Sequence, residues 1–121
     1  LGNTVLPAFQ AARQIFEENG TSVTVLNSRW VKPLPEAYLR DILEKHAAVL
    51  LLEEGVLAGG FSSAVLEFCS DAGLLTGQRV YRMGLPDAFV EHGSVTILRK
   101  RLKLDIDSIR DKMRELLKAV R

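Results

Sequence analysis

The chain has 121 residues, 47% of them hydrophobic and 26% charged, which is ordinary for a single domain spanning residues 1–121 with one core. Sixteen Lys and Arg against fifteen Asp and Glu leave a formal charge of +1, too balanced to attract nucleic acid or an anionic membrane. Cys69 is the one cysteine, which excludes an intrachain disulfide and a cysteine-based zinc site and fits a reducing, cytoplasmic setting. No apolar run reaches the roughly twenty residues a bilayer requires, and the opening residues lack the order of a signal peptide.

Leu1–Thr4 reads as the end of a strand turning into a helix, with Asn3 or Thr4 as N-cap and Pro7 in the first turn, where it displaces no helical hydrogen bond. Phe9, Ala12 and Phe16, joined by Leu6 and Ile15, predict the buried stripe of that helix, and Gly20 its stop. Ser22–Leu26 alternates and is rich in β-branched residues, which predicts a strand. Pro33 and Pro35 then bracket a turn and start a second helix reaching about His46, whose imidazole suits a helix C-terminus without any chemistry. Ala48–Leu52 is uniformly apolar, as a central strand covered on both faces would be.

Glu53 and Glu54 precede a glycine-rich turn, Gly55–Gly60, and an apolar helix carrying Val65, Phe68, Cys69 and Ala72 and ending near Gly73. Arg79–Met83 reads as a last strand, Gly84–Gly93 as a structured loop, and Ser94 as the cap of a short helix over Ile97, Leu98 and Leu102. Ile106, Ile109, Met113, Leu116, Leu117 and Val120 make the stripe of a terminal helix capped by Asp105 or Asp107. Alternating strand and helix predict a three-layer α/β/α sandwich with a mainly parallel sheet. About three strands are visible, few for such a sheet, so the fold is expected to lack its first strand or strands.

In open α/β sheets ligands gather beyond the C-terminal strand ends, where the Glu53–Gly60 turn lies. Gly55 and Gly60 have the spacing of a phosphate-binding loop, but the next residues are Phe61 and Ser62, so its lysine is missing, and two carboxylates flank the turn. A structural turn is the better reading. Glu53 and Glu54 are neighbours in an extended segment and point to opposite faces, so they do not form an acid/base pair, although one can cap the following helix. His92 lacks a nucleophile elbow and is expected to brace its loop. Cys69 reads as an inert buried thiol. Arg99, Lys100, Arg101 and Lys103 read as a solvated helix face, because Asp105, Asp107, Asp111 and Glu115 dilute their field. Trp30, between Arg29 and Lys32, is an interface anchor if exposed and core if buried.

Four segments in order, Gly2-Asn3-Thr4-Val5, VTVLNSRWVKPL (23–34), EEGVLAGGFSSAVL (53–66) and GLPDAFVEHG (84–93), resemble the transketolase-like C-terminal domain of the 1-deoxy-D-xylulose-5-phosphate synthases over most of the chain. Ser62 and Lys103 depart from that pattern, each standing where the family usually has glycine, which puts local backbone shape in question. The resemblance implies a homodimeric, thiamine-diphosphate- and magnesium-dependent transferase condensing pyruvate with glyceraldehyde 3-phosphate. It places cofactor and substrate residues in preceding domains, so no catalytic, cofactor-binding or metal-binding residue is carried onto this chain. The domain is then expected to support dimer assembly and to pack on the catalytic domains. The candidate contacts are Glu53, Glu54, Gly59, Gly60, Phe61, Pro86, Asp87, Phe89 and His92. The resemblance also puts a central strand before the Gly-Asn-Thr turn, so either a partner chain filling that gap or a sheet closed up around it is expected. Two rival readings are the equivalent domain of a 2-oxo-acid dehydrogenase β subunit and a regulatory module binding a metabolite near Gly59 and Gly60.

Overall fold

The computed structural model describes residues 1–75 and 79–120. A short 3-10 turn, Gly2–Thr4, leads into α1 (Val5–Asn19). Then come α2 (Glu36–Lys45), β1 (Ala48–Val56), α3 (Phe61–Asp71), β2 (Arg79–Leu85), α4 (Val95–Arg101) and α5 (Ile106–Ala119). β1 and β2 run parallel, with Ala48 opposite Arg79 and Leu52 opposite Met83. The register slips between Leu52 and Val56.

β1 is apolar on both sides because helices cover both. Leu50 and Leu52 face one core with Ala8, Ala11, Ala12 and Ile15 of α1 and Ile109 and Met113 of α5. Val49 and Leu51 face a second core with Leu39 and Leu43 of α2 and Phe61, Val65 and Cys69 of α3. The expected helix-sheet-helix layering is therefore present, around two described strands.

Some expectations need correction. Ser22–Leu26 is not a strand among the described residues. It keeps strand alternation, with Val23 and Val25 turned toward the first core, but no neighbouring backbone forms a ladder with it. In α1 the buried stripe is Ala8, Ala11, Ala12 and Ile15, while Leu6, Phe9 and Phe16 are exposed. Small side chains let α1 lie close against β1 and α5, which the rings of Phe9 and Phe16 would prevent. At the start of α1, Thr4 is the N-cap residue but caps nothing; its hydroxyl turns back to donate to the Leu1 carbonyl at 2.7 Å.

The other boundaries follow the sequence signals. Gly20 ends α1 at φ 73, its N–H donating to the Phe16 carbonyl at 2.8 Å. Asp105 caps α5 by accepting from the Ser108 N–H, and Ser94 caps α4 through the Ile97 N–H. Lys103 takes φ 59, the left-handed conformation glycine favours, just beyond α4, so the departure at that position keeps the backbone shape. α4 buries none of its residues, and Ile97 is exposed, not packed beneath it as expected.

Candidate functional site

Two features occupy the C-terminal end of β1. The first is built on Glu53, which is 2% exposed. Its carboxylate accepts from the N–H groups of Phe61 (2.7 Å) and Ser62 (3.0 Å) and from the Ser62 hydroxyl, so it caps the positive end of α3 from the preceding strand. The space around that carboxylate exists because three residues lack a side chain. A Cβ on Gly60 would stand 2.2 Å from the Val56 carbonyl oxygen and 2.3 Å from Glu53 Oε2, and a Cβ on Gly84 would stand 2.9 Å from Glu53 Cγ. Gly55 is the third, its Cβ position 3.0 Å from Glu53 Oε2.

Glu54 points the opposite way, as extended neighbours must. It accepts the Asn3 N–H at 3.1 Å and the Arg99 guanidinium at 2.9 Å, joining the start of the chain to α4. The two carboxylates thus tie separate elements and share no substrate-sized space. Gly59, at φ 72, turns the chain and donates its N–H to the Ser63 hydroxyl.

The Pro86–Gly93 loop leaves β2 at the same edge. Pro86, Asp87, Phe89 and His92 are all exposed, Phe89 at 92%. His92 forms no hydrogen bond among the described residues, so it does not brace the loop; the bond that does is Glu91 to Arg101 at 3.3 Å. His46 ends α2, donating through Nδ1–H to the Ile42 carbonyl at 2.9 Å. Its Nε2 lies 3.0 Å from the Thr24 hydroxyl and steadies the 22–26 segment.

The second feature is an apolar slot. β1 has β2 on one edge and no described strand on the other. Along that open edge runs a cavity of about 280 Å³, with Ala48–Leu52 on one side and Ser22–Leu26 on the other. Residues of α1 and α5 close it from one layer, and Leu39, Ile42 and Phe61 from the other. Leu1 stands at its end, and the Leu1 nitrogen donates to the Leu52 carbonyl at 2.9 Å, the bond a parallel strand would make at that point. Among the described residues the sheet has not closed up on this side of β1.

The described residues hold no group of three or more His, Cys, Asp or Glu that could bind a metal, and no helix is long and apolar enough to cross a membrane. The turn beside Glu53 presents carboxylates, with no lysine, and its first helical N–H groups are already taken by Glu53. A diphosphate with its magnesium therefore does not fit there.

The family model described as "Transketolase, C-terminal domain" matches residues 1–109. The chain belongs to the transketolase C-terminal domain family. Among curated relatives of this transketolase C-terminal domain are proteins named 1-deoxy-D-xylulose-5-phosphate synthase. That of Nitratidesulfovibrio vulgaris (strain DP4) is 49% identical over 120 residues, covering 99% of this chain and 19% of the relative. Those of Lawsonia intracellularis and Bacillus cereus (strain B4264) are each 43% identical, covering 97% and 96% of this chain and 18% of the relative. The chain thus spans about a fifth of the length of these relatives. A solved structure described as "Split gene transketolase, inactive beta4 tetramer" superposes with a TM-score of 0.82 at 25% identity, over 97% of this chain and 37% of that one.

Sequence reasoning placed Glu53, Glu54, Gly59, Gly60 and Phe61 at one edge, and there they are. It missed Ser62 as a donor to Glu53 and Gly84 as the floor beneath it. The signal for Gly84 was its position at the end of a strand, next to a buried acid.

Proposed function

We propose that this chain is the C-terminal, non-catalytic domain of a 1-deoxy-D-xylulose-5-phosphate synthase. The observation that carries the reading is the strand-wide apolar slot with Leu1 at its end. A cavity lined by Leu50, Leu51 and Leu52 with an open backbone edge favours an apolar strand as occupant, because water wets apolar side chains unfavourably while a dry cavity leaves the backbone N–H and C=O groups unpaired. The match to a C-terminal domain and the greater length of the relatives support a source for such a strand upstream of Leu1 in the same polypeptide.

In this reading the parent enzyme is a cytoplasmic homodimer. It condenses pyruvate with glyceraldehyde 3-phosphate, giving 1-deoxy-D-xylulose 5-phosphate and carbon dioxide, with thiamine diphosphate and magnesium held by upstream domains. The present residues act by position. Glu53 fixes α3 and the Gly55–Gly60 turn on β1, and Glu54 with Arg99 holds α4, so that the turn and the Pro86–Gly93 loop form a contact face for the catalytic domains.

The test is an assay of the full polypeptide for pyruvate consumption dependent on glyceraldehyde 3-phosphate. Activity in the full chain, none in residues 1–121 alone, and loss of dimer on deleting residues 1–121 are expected. A full chain inactive on these substrates overturns the assignment, and an undiminished active dimer after deletion overturns the supporting role.

A further inference from the structure

We propose that the turn from Arg29 to Lys32 is a docking point for a carboxylate-bearing surface of the polypeptide upstream of Leu1. This rests on the proposed function and adds a contact that neither the Glu53–Phe61 turn nor the Pro86–Gly93 loop supplies. Arg29 has φ 60, a left-handed conformation that non-glycine residues avoid. Lys103 shares that conformation, but it follows α4, where helix ends commonly adopt it, and the Leu104 N–H closes onto the Arg99 carbonyl at 2.7 Å. Arg29 ends no helix.

Its turn is held from within. The Asn27 side chain accepts the Arg29 N–H at 3.2 Å, the Ser28 hydroxyl donates to the Trp30 carbonyl at 2.9 Å, and the Trp30 N–H returns to the Ser28 carbonyl. Ser28 is buried, and Val31 packs on the second core together with Leu1. Between these anchors Trp30 is held 66% exposed. A rigid turn that lifts a tryptophan and an arginine into solvent has the composition of an interface hot spot.

Charge selects the occupant. Arg13, Lys45, Arg110 and Arg114 each meet a carboxylate on their own or a packed helix. Arg29 and Lys32 meet none among the described residues, which is also true of Arg40, Arg79, Arg82, Lys100, Lys103 and Lys118; what sets these two apart is that they bracket the exposed Trp30 in the sequence of one held turn. Two uncompensated cations around an aromatic anchor complement an acidic surface. Position selects its source. Ser28 lines the slot together with Leu1, and Val31 and Leu1 pack against the same core, so the turn and the start of the chain border one slot, where an upstream segment would arrive.

The full polypeptide is treated with a zero-length carboxyl-to-amine coupling reagent and its peptides are weighed. Lys32 is expected to join an Asp or Glu upstream of Leu1, and Lys32→Arg to abolish that product. In parallel, the double variant Arg29→Glu/Lys32→Glu is expected to raise amide exchange at residues 28–33 about tenfold while leaving β1 and residues 86–93 unchanged. Coupling of Lys32 only to a carboxylate within residues 1–121 of a second copy, or equal exchange at 28–33 in variant and wild type, overturns the proposal. If β1 and residues 86–93 of the wild-type full chain exchange as freely as in residues 1–121 alone, the proposed function fails instead.

Discussion

Glu53 concentrates the residue-scale consequences, because three donors converge on a carboxylate that is 2% exposed. Glu53→Gln keeps the shape but turns an amide NH₂ toward donors, so a loss of about 2–3 kcal/mol is expected in denaturant unfolding. Ser62→Ala removes one donor and leaves the carboxylate capped by two N–H groups, for an expected loss of about 1–2 kcal/mol. Neither pairing was readable beforehand: the sequence showed that one glutamate could cap α3, but the choice of Glu53 follows from which face of β1 meets α3, the face it shares with Val49 and Leu51. Cys69 is fully buried, and burial pushes its thiol up from the ordinary value. A raised thiol stays protonated in the fold after the unfolded chain has ionised. Stability is therefore complete below the ordinary thiol value and falls as pH rises from there toward the folded value, and alkylation of Cys69 is expected to track global unfolding. Glu18 runs the other way: the hydrogen bond from Arg114 lowers its carboxyl, so the stability it adds is present above the ordinary carboxylate value and is lost as pH falls through the folded one. Comparing wild type with Glu18→Gln across acidic pH in a thermal melt checks that sign.

At the scale of elements, α4 and α5 show how differently a helix can be held. α5 was legible because its stripe from Ile109 to Leu116 meets α1 and β1 directly, and Asp105 supplies its cap. Asp105→Ala is expected to cost about 1 kcal/mol in an unfolding titration. α4 has the cap that the sequence promised but no buried side chain, so its attachment rests on the Arg99–Glu54 and Arg101–Glu91 pairs. Partly exposed pairs of this kind contribute on the order of 0.2–1 kcal/mol and weaken with salt. Glu54→Gln is therefore expected to speed proteolysis between Pro86 and Arg101, and added salt to speed it in wild type, with little change in global stability. α1 was misread because two stripes satisfy its period. Choosing Phe9 and Phe16 followed hydrophobic size, whereas the close approach of β1 and α5 selected Ala8, Ala11 and Ala12. The 22–26 segment has strand composition and strand alternation, and what it lacks is a neighbour, which lies outside any local signal.

The molecule as a whole is a sandwich whose two helix layers are present and whose sheet is open beside β1. Layering and parallel order were legible from the alternation of elements, and a missing strand from the resemblance to a family with a central strand before the Gly-Asn-Thr turn; that the sheet stays open beside β1 was not. Nor were the cavity's exact walls, because they depend on where Val23, Val25 and Met113 settle beside the open edge of β1. Amide hydrogen exchange of Ala48–Leu52 tests the account most directly. It compares residues 1–121 with the same chain extended by the upstream stretch that the longer relatives carry before the position of Leu1. The account predicts that the extension slows exchange at the β1 amides facing the slot by a hundredfold or more, on the order of 3 kcal/mol of local opening free energy, as a strand fills the cavity. Unchanged exchange along β1 in the extended chain would contradict it.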